Sequence, residues 1–465
     1  MHNVLPGRVA TQRTDTQQFS IMKAQEQRPQ QHRRENSAAV GTKDWSVTTH
    51  GKPQPGHSSG SHAVDRYVAS KILALIGNPD IRLRLWDGTE LPVAGEASCP
   101  LLWFRDRGAL YRSLQYPELN FGDLFSQGRI EIEGDLLELL ERVNRGIQRR
   151  TGPGWLRSAA SRMARRNKRN TLRRSAENIH HHYDIGNDFY QLWLDSEYMQ
   201  YTCAYYPDPE IDLQQAQIAK LHHVCRKLQL KPGDLVVEAG CGWGGLARFM
   251  ATHYGVTVRA YNISREQVAF ATDMAQRHGL SGRVEYVLDD YRNITGQYDV
   301  FVSVGMLEHV GVQQYPVLGR IMRDCLKTPG RGLIHSIGRN RPKPLNAWIE
   351  RRIFPGAYPP TLREIMDIFE PNGLSVLDVE NLRLHYAQTL DSWLQRFERN
   401  EDQVGQMYDT CFARAWRLYL AGSLVAFKTG NLQLFQLMFT QDHNNDLPWS
   451  RAHQYPLQGN RYAVE

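Results

Sequence analysis

The chain has no long apolar segment. Among its 465 residues, no run approaches the roughly 18 to 20 apolar residues that a membrane-spanning helix requires. The first residues also lack the hydrophobic core of a secretory signal. We therefore expect a cytoplasmic protein, either free or peripherally bound to a membrane. The apolar share of 41% is enough for a substantial core, and the length favours two folded domains with tails.

Paired cysteines and metal-ligand clusters are also absent. The six cysteines are scattered, without a CxxC pair or zinc spacing, at Cys99, Cys203, Cys225, Cys241, Cys325 and Cys411. This pattern indicates free thiols in a reducing compartment. Three adjacent histidines at 180–182 point in different directions, and no carboxylate or cysteine near them has ligand spacing. We expect no metal site.

Acidic residues are missing from 151–175, which carries eight basic side chains: Arg157, Arg162, Arg165, Arg166, Lys168, Arg169, Arg173 and Arg174. The whole chain has a formal net charge of +7 and a pI near 9.0, so we expect an anionic partner. Charge alone does not separate nucleic acid from an anionic membrane surface. Trp155, Leu156 and Met163 among these arginines suit lipid headgroups, whereas a solvated, flexible linker is the alternative.

Composition divides the chain into five parts. They are a disordered basic tail at 1–60, a small α+β domain at 61–150, a basic linker at 151–175, an α/β domain at 176–445 and a C-terminal tail at 446–465. The small domain is predicted from a helix at 67–76, a strand at 81–85, a turn at Asp87-Gly88, a strand at 128–133 and a helix at 136–143.

Helices and strands alternate in the larger domain, as a doubly wound sheet requires. An amphipathic helix is predicted at 213–228, and the first strand begins at Leu235. Further strands are predicted at 256–261, 284–288, 299–304, 333–337 and 432–440, with helices at 315–326 and 402–427. Ser264 to Gln267 has the form of a capping box that opens another helix.

A glycine-rich turn follows the first strand, where the sequence reads LVVEAGCGWGG at 235–245. Glycines allow positive φ and a close approach to a ligand, and Glu238 can accept hydrogen bonds from it. A purely structural turn is possible, but the spacing does not fit the G-x-G-x-x-G dinucleotide pattern cleanly, and a P-loop would require Gly-Lys-Ser/Thr. The turn closely resembles the E/D-x-G-x-G turn of S-adenosylmethionine-dependent methyltransferases.

Further segments resemble the cyclopropane fatty acid synthase family, which includes the mycolic acid cyclopropane synthases. They read HYDIGNDF at 182–189, YTCAYY at 201–206, EAGCGWGG at 238–245, VGMLEHVG at 304–311, IHSIG at 334–338, IFPG at 353–356 and HY at 385–386. The resemblance covers about 175–440 and implies a class I methyltransferase fold with a Rossmann-like seven-stranded sheet. More weakly, 65–143 resembles the family's N-terminal lipid-binding domain.

The resemblance also implies an activity and a catalytic set. The expected reaction transfers a methylene unit from S-adenosylmethionine to the cis double bond of unsaturated phospholipid acyl chains and closes a cyclopropane ring. In the family, bound bicarbonate is the base, and its ligands match Cys203, Glu308, His335, Ile337 through its backbone, and Tyr386. Taken singly, Cys203 is better interpreted as a small core residue and Tyr386 as an aromatic side chain packed against helices, and it is their joint occurrence with the other three that favours the catalytic role.

The cofactor residues follow from the same resemblance. They are Tyr201, Thr202, Glu238, Gly240, Cys241, Gly242, Asn262, Gln267, Asp290, Tyr291 and Arg292. Tyr261-Asn262 departs from the family, in which an aliphatic residue and threonine are usual. Because Asn262 keeps a side-chain donor and acceptor, we expect cofactor binding to persist.

Three other functions remain open at this point. The enzyme could methylate the acyl double bond without ring closure, or the chain could be a non-catalytic lipid-binding module. A nucleic-acid methyltransferase is disfavoured, since the sequence has no Asn-Pro-Pro-Tyr-like motif and no cysteine-nucleophile motif. We therefore expect phospholipid acyl chains and an anionic membrane surface as partners, with a second copy of the chain as a further candidate, and no nucleic acid.

Overall fold

The computed structural model describes residues 60–92, 98–150 and 185–455. All of them fall within one compact unit, Trp45–Glu465. The predicted linker at 151–175, with its eight basic side chains, lies outside the described residues. So does the predicted tail at 1–60, except for its last residue. Within the described ranges, no helix is long and apolar enough to cross a membrane.

The N-terminal part builds a four-stranded sheet with four helices. In chain order these are α1 (Ala63–Leu75), β1 (Arg82–Arg84), β2 (Glu90–Leu91), β3 (Leu101–Phe104), α2 (Arg107–Gln115), α3 (Pro117–Ser126), β4 (Ile130–Glu133) and α4 (Leu136–Arg150). The strand order is β2-β1-β3-β4, and β1 and β3 are parallel. The predicted turn joins β1 to β2, and Gly88 adopts the positive φ that this turn requires. Sequence patterns missed β3, α2 and α3.

The larger part contains a seven-stranded sheet, as predicted. Its strands are β5 (Leu235–Ala239), β6 (Thr257–Asn262), β7 (Val284–Leu288), β8 (Tyr298–Val304), β9 (Leu326–Gly338), β10 (Leu374–Asn381) and β11 (Gln433–Gln441). The order is β10-β11-β9-β8-β5-β6-β7, and only β11 runs antiparallel to its two neighbours. This is the doubly wound class I methyltransferase fold.

Helices cover the sheet and its carboxyl edge. They are α5 (Asn187–Gln191), α6 (Leu213–Lys227), α7 (Gly245–Tyr254), α8 (Arg265–Arg277), α9 (Leu307–Val310), α10 (Tyr315–Cys325), α11 (Ala347–Arg352), α12 (Leu362–Ile365), α13 (Arg383–Arg399), α14 (Glu401–Met407) and α15 (Thr410–Lys428). Val236 and Val237, adjacent on β5, are both fully buried but belong to different apolar clusters. Successive side chains of a strand point to opposite faces, so both faces of the sheet carry a core.

The predicted helix at 402–427 is wrong as a single element. The structure ends α14 at Met407 and begins α15 at Thr410, where the Asp409 side chain accepts a hydrogen bond from Phe412 N and caps the new helix. Apolar periodicity continued across the break and hid it.

The N-terminal part packs directly against the larger part. Asp123 on α3 pairs with Arg352 at 2.8 Å and accepts from Trp348 Nε1 at 3.1 Å. A Cβ on Gly122 would lie 2.4 Å from the Trp348 ring, so only glycine permits this approach. On α15, Arg414 donates to the Phe125 carbonyl at 2.8 Å. The described residues of the two parts thus share a buried, hydrogen-bonded contact.

Candidate active site

The glycine-rich turn leads from β5 into α7 at the carboxyl edge of the sheet. Gly240, Gly242 and Gly244 all have positive φ, at 83°, 53° and 75°. The N–H groups of Gly240 and Cys241 donate to the carbonyl of Tyr261 and anchor the turn to β6. A Cβ on Gly242 would meet no protein atom within 4 Å, so its bare backbone faces open space. Such a turn allows a ligand to approach the main chain closely.

That open space belongs to a cavity of about 720 Å³, counting the part open to solvent. Eight of the eleven predicted cofactor residues line it: Tyr201, Thr202, Glu238, Gly240, Cys241, Gly242, Asn262 and Gln267. Glu238 Oε2 and Gln267 Nε2 are buried and have no hydrogen-bond partner among the residues that the structure describes. Burial raises the pKa of Glu238 to about 8, and the charges of Lys220 and Arg248 oppose that rise. An acceptor and a donor are thus available to a polar ligand. We call this space the cofactor cavity.

In the wall of the cofactor cavity, Asn262 links the glycine-rich turn to the start of α8. Its amide donates to the Gly242 carbonyl at 3.0 Å and to Gln267 Oε1 at 2.9 Å, and its oxygen accepts from Ser264 N. Ser264 caps α8 by accepting from Gln267 N, as the predicted capping box requires. The other half of the box is wrong, because the Gln267 side chain bonds Asn262 instead of the Ser264 backbone.

The last three predicted cofactor residues lie outside the lining of the cofactor cavity. Tyr291 and Arg292 belong to a short 3-10 helix, Tyr291–Asn293, which follows β7. Asp290 accepts from Arg292 N at 2.9 Å and from its guanidinium at 2.7 and 2.8 Å. In this conformation the Asp290 carboxylate is committed to Arg292. Tyr291 is buried, and its hydroxyl has no hydrogen-bond partner in the protein.

A second cavity, of about 830 Å³ with the part open to solvent, brings together all five predicted catalytic residues: Cys203, Glu308, His335, Ile337 and Tyr386. Much of its remaining wall is apolar, with Leu345, Ile349, Phe354, Leu390, Phe427, Leu432 and Leu434. Strand β9, the segment that follows β8, and helices α13 and α15 all contribute lining residues. We call this space the catalytic cavity.

Glu308 is one of two polar groups that this cavity leaves unsatisfied. It lies on α9, just beyond β8, and its Oε1 accepts from Ile337 N at 2.6 Å. Its Oε2 is buried without a partner, and burial raises its pKa to about 7. The backbone N–H of Ile337, expected from the sequence as an anion ligand, is therefore engaged by Glu308. A carboxyl group with this pKa can exchange a proton near neutral pH.

His335 is the second unsatisfied group. Its Nδ1 lies 3.0 Å from Gln436 Nε2, while its Nε2 is buried without a protein partner. Burial lowers the pKa of His335 well below its usual range, and the cations Lys220 and Lys227 lower it further. The imidazole is therefore neutral at physiological pH.

Cys203 and Tyr386 complete the predicted set as buried, weakly polar walls. The Cys203 thiol donates to the Ala204 carbonyl at 3.1 Å, and burial raises its pKa, so it stays protonated. The Tyr386 ring packs against Phe427 with ring centroids 4.5 Å apart. Neither residue has the environment of an activated nucleophile.

The two cavities meet at a shared wall formed by Tyr201, Thr202, Gly305 and His309. Thr202 Oγ1 accepts from Lys220 Nζ at 3.0 Å, and the same ammonium donates to Gln200 of the cofactor cavity. Lys220 is fully buried on α6, and burial lowers its pKa to about 8. Its charge therefore lies directly behind the wall that separates cofactor from substrate space.

Comparison with known proteins gives this geometry a family. The sequence model described as mycolic acid cyclopropane synthetase matches residues 170–437, more than half of the chain. The chain belongs to this family.

Individual relatives agree with that assignment. A probable fatty acid methyltransferase from Pseudomonas putida is 35% identical over 81% of this chain and 96% of its own length. Cyclopropane-fatty-acyl-phospholipid synthase from Escherichia coli K12 is 39% identical over 58% of this chain and 69% of its own length. The solved structure of the mycolic acid cyclopropane synthase CmaA1 complexed with SAH and CTAB has a TM-score of 0.55 and 28% identity, covering 57% of this chain and 98% of its own.

As a member of this family, the protein is an S-adenosylmethionine-dependent methyltransferase. The unpaired Glu238 and Gln267 and the bare Gly242 backbone fit that cofactor, whose amino group, hydroxyls and adenine need polar partners. Sequence reasoning missed Lys220 and Gln436. Lys220 could have been noticed as a lysine one helical turn from Val224 and Ala216, on the apolar face of a predicted helix. Gln436 gave no signal beyond a polar residue within a strand.

Proposed function

We propose that this enzyme transfers a methylene unit from S-adenosylmethionine to the cis double bond of unsaturated phospholipid acyl chains and closes a cyclopropane ring, with bound bicarbonate as the base. One observation carries the proposal. Two buried, unsatisfied polar atoms, Glu308 Oε2 and His335 Nε2, line an otherwise largely apolar cavity that shares a wall with the cofactor cavity. An alkene acceptor needs both parts of this arrangement, an apolar wall for the chain and polar groups that hold a base for the proton released on ring closure.

The apolar lining supports an acyl chain as substrate. Phe354, Leu390 and Phe427 contribute ring and branched aliphatic surface, which favours a hydrocarbon chain over a polar ligand. The related CmaA1 structure contains CTAB, a detergent with a long alkyl chain, together with SAH. The relative from Escherichia coli is named a cyclopropane-fatty-acyl-phospholipid synthase. Both observations favour a lipid acyl chain in the catalytic cavity.

The chemistry explains why the cavity must be dry. S-adenosylmethionine, when bound, supplies an electrophilic methyl group. An alkene is a weak nucleophile, so the walls of both cavities must hold it against that methyl group in one orientation. Transfer leaves a carbocation on the chain, which water would trap. Phe354 and Phe427 exclude water, and ring closure then requires that the new methyl group lose a proton to a base.

The polar residues fit a small oxyanion as the holder of that proton. His335 offers an N–H at Nε2, and Glu308, with its pKa raised to about 7, offers an O–H when protonated. The buried Lys220 adds a positive charge behind Thr202, which favours an anion in the cavity. Bicarbonate bound there would accept a proton from the transferred methyl group, and Glu308 would hold or pass it on near neutral pH.

The proposal also includes contact with an anionic membrane surface. Its support is the density of basic side chains at 157–174, which lies outside the described residues. Vesicle binding that weakens steeply with salt, and that fails after deletion of 151–174, is the expected result. Equal binding by the deleted form would remove this part of the proposal and leave the chemistry untouched.

The decisive experiment follows the lipid product. We expect S-adenosylmethionine and vesicles of cis-unsaturated phospholipid to yield acyl chains heavier by one CH2, with the high-field proton resonances of a cyclopropane in the NMR spectrum. A Glu308→Gln enzyme that still binds the cofactor serves as the matched control and should give no such product. An enzyme that binds the cofactor but alters no unsaturated lipid would contradict the proposal.

Methylation without ring closure is the second candidate. It is favoured by the 35% identity to a probable fatty acid methyltransferase, which extends over 96% of that relative. A methylene-branched chain has the same mass as the cyclopropane, so mass alone does not separate them. Vinylidene protons in place of cyclopropane protons would establish this alternative.

A further inference from the structure

Three neighbouring strands align one polar residue each. Register pairs Glu380 on β10 with Gln436 on β11, and Gln436 with His335 on β9. Residues directly opposite each other on antiparallel strands point to the same face of the sheet. These side chains therefore form one polar row on the same face of the sheet, and His335 at its end lines the catalytic cavity.

The contact between Gln436 and His335 defines a direction for the hydrogen bond. Gln436 is fully buried, and its Nε2 lies 3.0 Å from His335 Nδ1. In the amide orientation of this structure the Gln436 NH2 group faces His335 and can only donate, so His335 Nδ1 accepts and the imidazole proton resides on Nε2. That atom has no protein partner and belongs to the wall of the catalytic cavity.

At the other end of the row, side chains of α6 balance the negative charge of Glu380. Glu380 accepts from Lys227 Nζ at 2.6 Å and lies 2.8 Å from His223 Nε2, and both of these side chains come from α6. Lys227 thus neutralises the Glu380 carboxylate. Besides Glu380, the ionisable groups that act on His335 are Lys220, Lys227 and His223, all on α6, and each of them disfavours an imidazolium. His335 therefore stays neutral. Its hydrogen-bond partners can then determine only which of the two ring nitrogens carries the proton.

We propose that Gln436 is a positioning residue that holds His335 as the Nε2–H tautomer, so that the imidazole presents a hydrogen-bond donor to a small oxyanion in the catalytic cavity. Its effect on turnover rests on the proposed function, whereas the tautomer itself does not. Gln436 does not reach the cavity and acts only through His335. Outer partners of this kind orient a histidine and fix which nitrogen carries its proton.

The tautomer can be measured directly in the full-length protein with 15N-labelled histidine. Long-range proton–nitrogen correlation spectra distinguish Nε2–H from Nδ1–H, and the His335→Gln protein assigns the His335 signals by their loss. We expect the Nε2–H pattern in the wild type. Burial and the facing Glu380 raise the pKa of a carboxyl group at position 436, so Gln436→Glu is measured at a pH above that pKa. The ionised carboxylate can only accept, so the proton should move to Nδ1 and deprive the cavity of its donor.

Turnover provides the second measurement. We expect Gln436→Glu to lower kcat on unsaturated phospholipid vesicles about 10- to 100-fold and to leave the Kd for S-adenosylmethionine within about 2-fold. Gln433→Glu is the matched control, since it makes the same substitution on β11 where the side chain bonds Asn381 and Gly430 instead of His335. It should retain the wild-type spectrum at His335 and the wild-type kcat.

Two results would overturn the proposal. One is a wild-type His335 with its proton on Nδ1, and this result needs no variant to fold. The other is a Gln436→Glu enzyme that keeps both the Nε2–H tautomer and wild-type kcat. Failure of the wild-type enzyme to modify any lipid would instead contradict the proposed function, while the spectrum would still decide the tautomer.

Discussion

The cofactor cavity and the catalytic cavity are neighbours built in opposite ways. The cofactor cavity draws its key polar residues from two short segments, Glu238–Gly242 and 262–267, at the ends of adjacent parallel strands. The catalytic cavity collects Cys203, Glu308 and Tyr386 from parts of the chain far apart in sequence. The cofactor cavity is formed largely by residues close together in sequence, in a strand, a turn and a helix. The catalytic cavity forms only when distant parts of the chain come together in the folded domain.

This difference separates binding from chemistry. Main-chain geometry at the glycine turn fits a cofactor without dictating the acceptor, and many methyltransferases can share it. Glu308 and His335, buried with unsatisfied atoms among apolar walls, restrict the acceptor. Substitutions in one cavity should therefore change cofactor affinity, and substitutions in the other should change turnover. The following predictions test that division.

The largest effect is expected for Glu308→Gln. An amide keeps the size of the carboxyl group but neither releases nor takes up a proton, so we expect turnover to fall by about 10³-fold. The Kd for S-adenosylmethionine, measured by calorimetry, should stay within about 2-fold because Glu308 does not line the cofactor cavity. Glu370→Gln, an exposed carboxyl change, is the control. Wild-type turnover in Glu308→Gln would show that the carboxyl group takes no part in the chemistry.

The second prediction concerns the wall that joins the cavities. Lys220→Met removes the cation that holds Gln200 and Thr202, so cofactor affinity and turnover should both fall, each by about 10-fold. Gln200 and Thr202 would also lose a buried donor, which should lower the free energy of unfolding by about 2 kcal/mol.

Lys227→Met is the matched control for that change, because Lys227 is equally buried on the same helix but bonds Glu380 away from the cofactor cavity. It should be destabilised to a similar extent and keep its cofactor affinity. Equal losses of affinity in both variants would mean that Lys220 acts only through stability.

The two cavities also differ in how well the sequence predicts them, because one is built from contiguous residues and the other from distant ones. The run from Leu235 to Gly245 predicts strand, turn and ligand together, because its chemistry is contiguous. The catalytic set was predicted only by resemblance to a family, since nothing in the spacing of Cys203, Glu308 and Tyr386 indicates that they meet. Burial and register decide such convergence, and neither is visible along the chain.

The misses have the same origin. Gln436 opposes His335 only because β11 inserts between β9 and β10, a pairing of distant strands that periodicity does not reveal. The helix break at Asp409 escaped notice because apolar residues continue in phase on both sides of it. Ile337 was expected to ligate an anion through its backbone, and nothing in the sequence indicates that its N–H donates to Glu308 in the folded chain.

A smaller effect is expected for Gln267→Ala in the cofactor cavity. Loss of its unpaired Nε2 and of its bond to Asn262 should weaken S-adenosylmethionine binding about 5- to 10-fold and leave kcat at saturating cofactor unchanged. Gln276→Ala, exposed on the same helix, should have no effect on either quantity. A fall in kcat without a change in Kd would show that Gln267 takes part in the reaction. The division between a cavity for cofactor binding and a cavity for turnover would then not hold.

The smallest effect distinguishes the two buried carboxyl groups by pH. Burial raises the pKa of Glu308 to about 7 and that of Glu238 to about 8. In the unfolded chain both carboxyl groups have the ordinary pKa of 4.5. The folded state then binds more protons than the unfolded state, so each group reduces stability as pH rises from 4.5 to its own folded pKa. Above that pKa its contribution is constant.

Thermal unfolding without cofactor can test this order. From pH 5 to 7, Glu238→Gln and Glu308→Gln should each lose less stability than the wild type. Between pH 7 and 8 the Glu238 carboxyl releases more of its proton than the Glu308 carboxyl, so Glu238→Gln should be flatter than Glu308→Gln, and by at most about 1.4 kcal/mol per pH unit. If the two variants behave alike in that window, the cofactor cavity does not bury its carboxyl group more effectively than the catalytic cavity. The contrast between them would then lie in geometry alone.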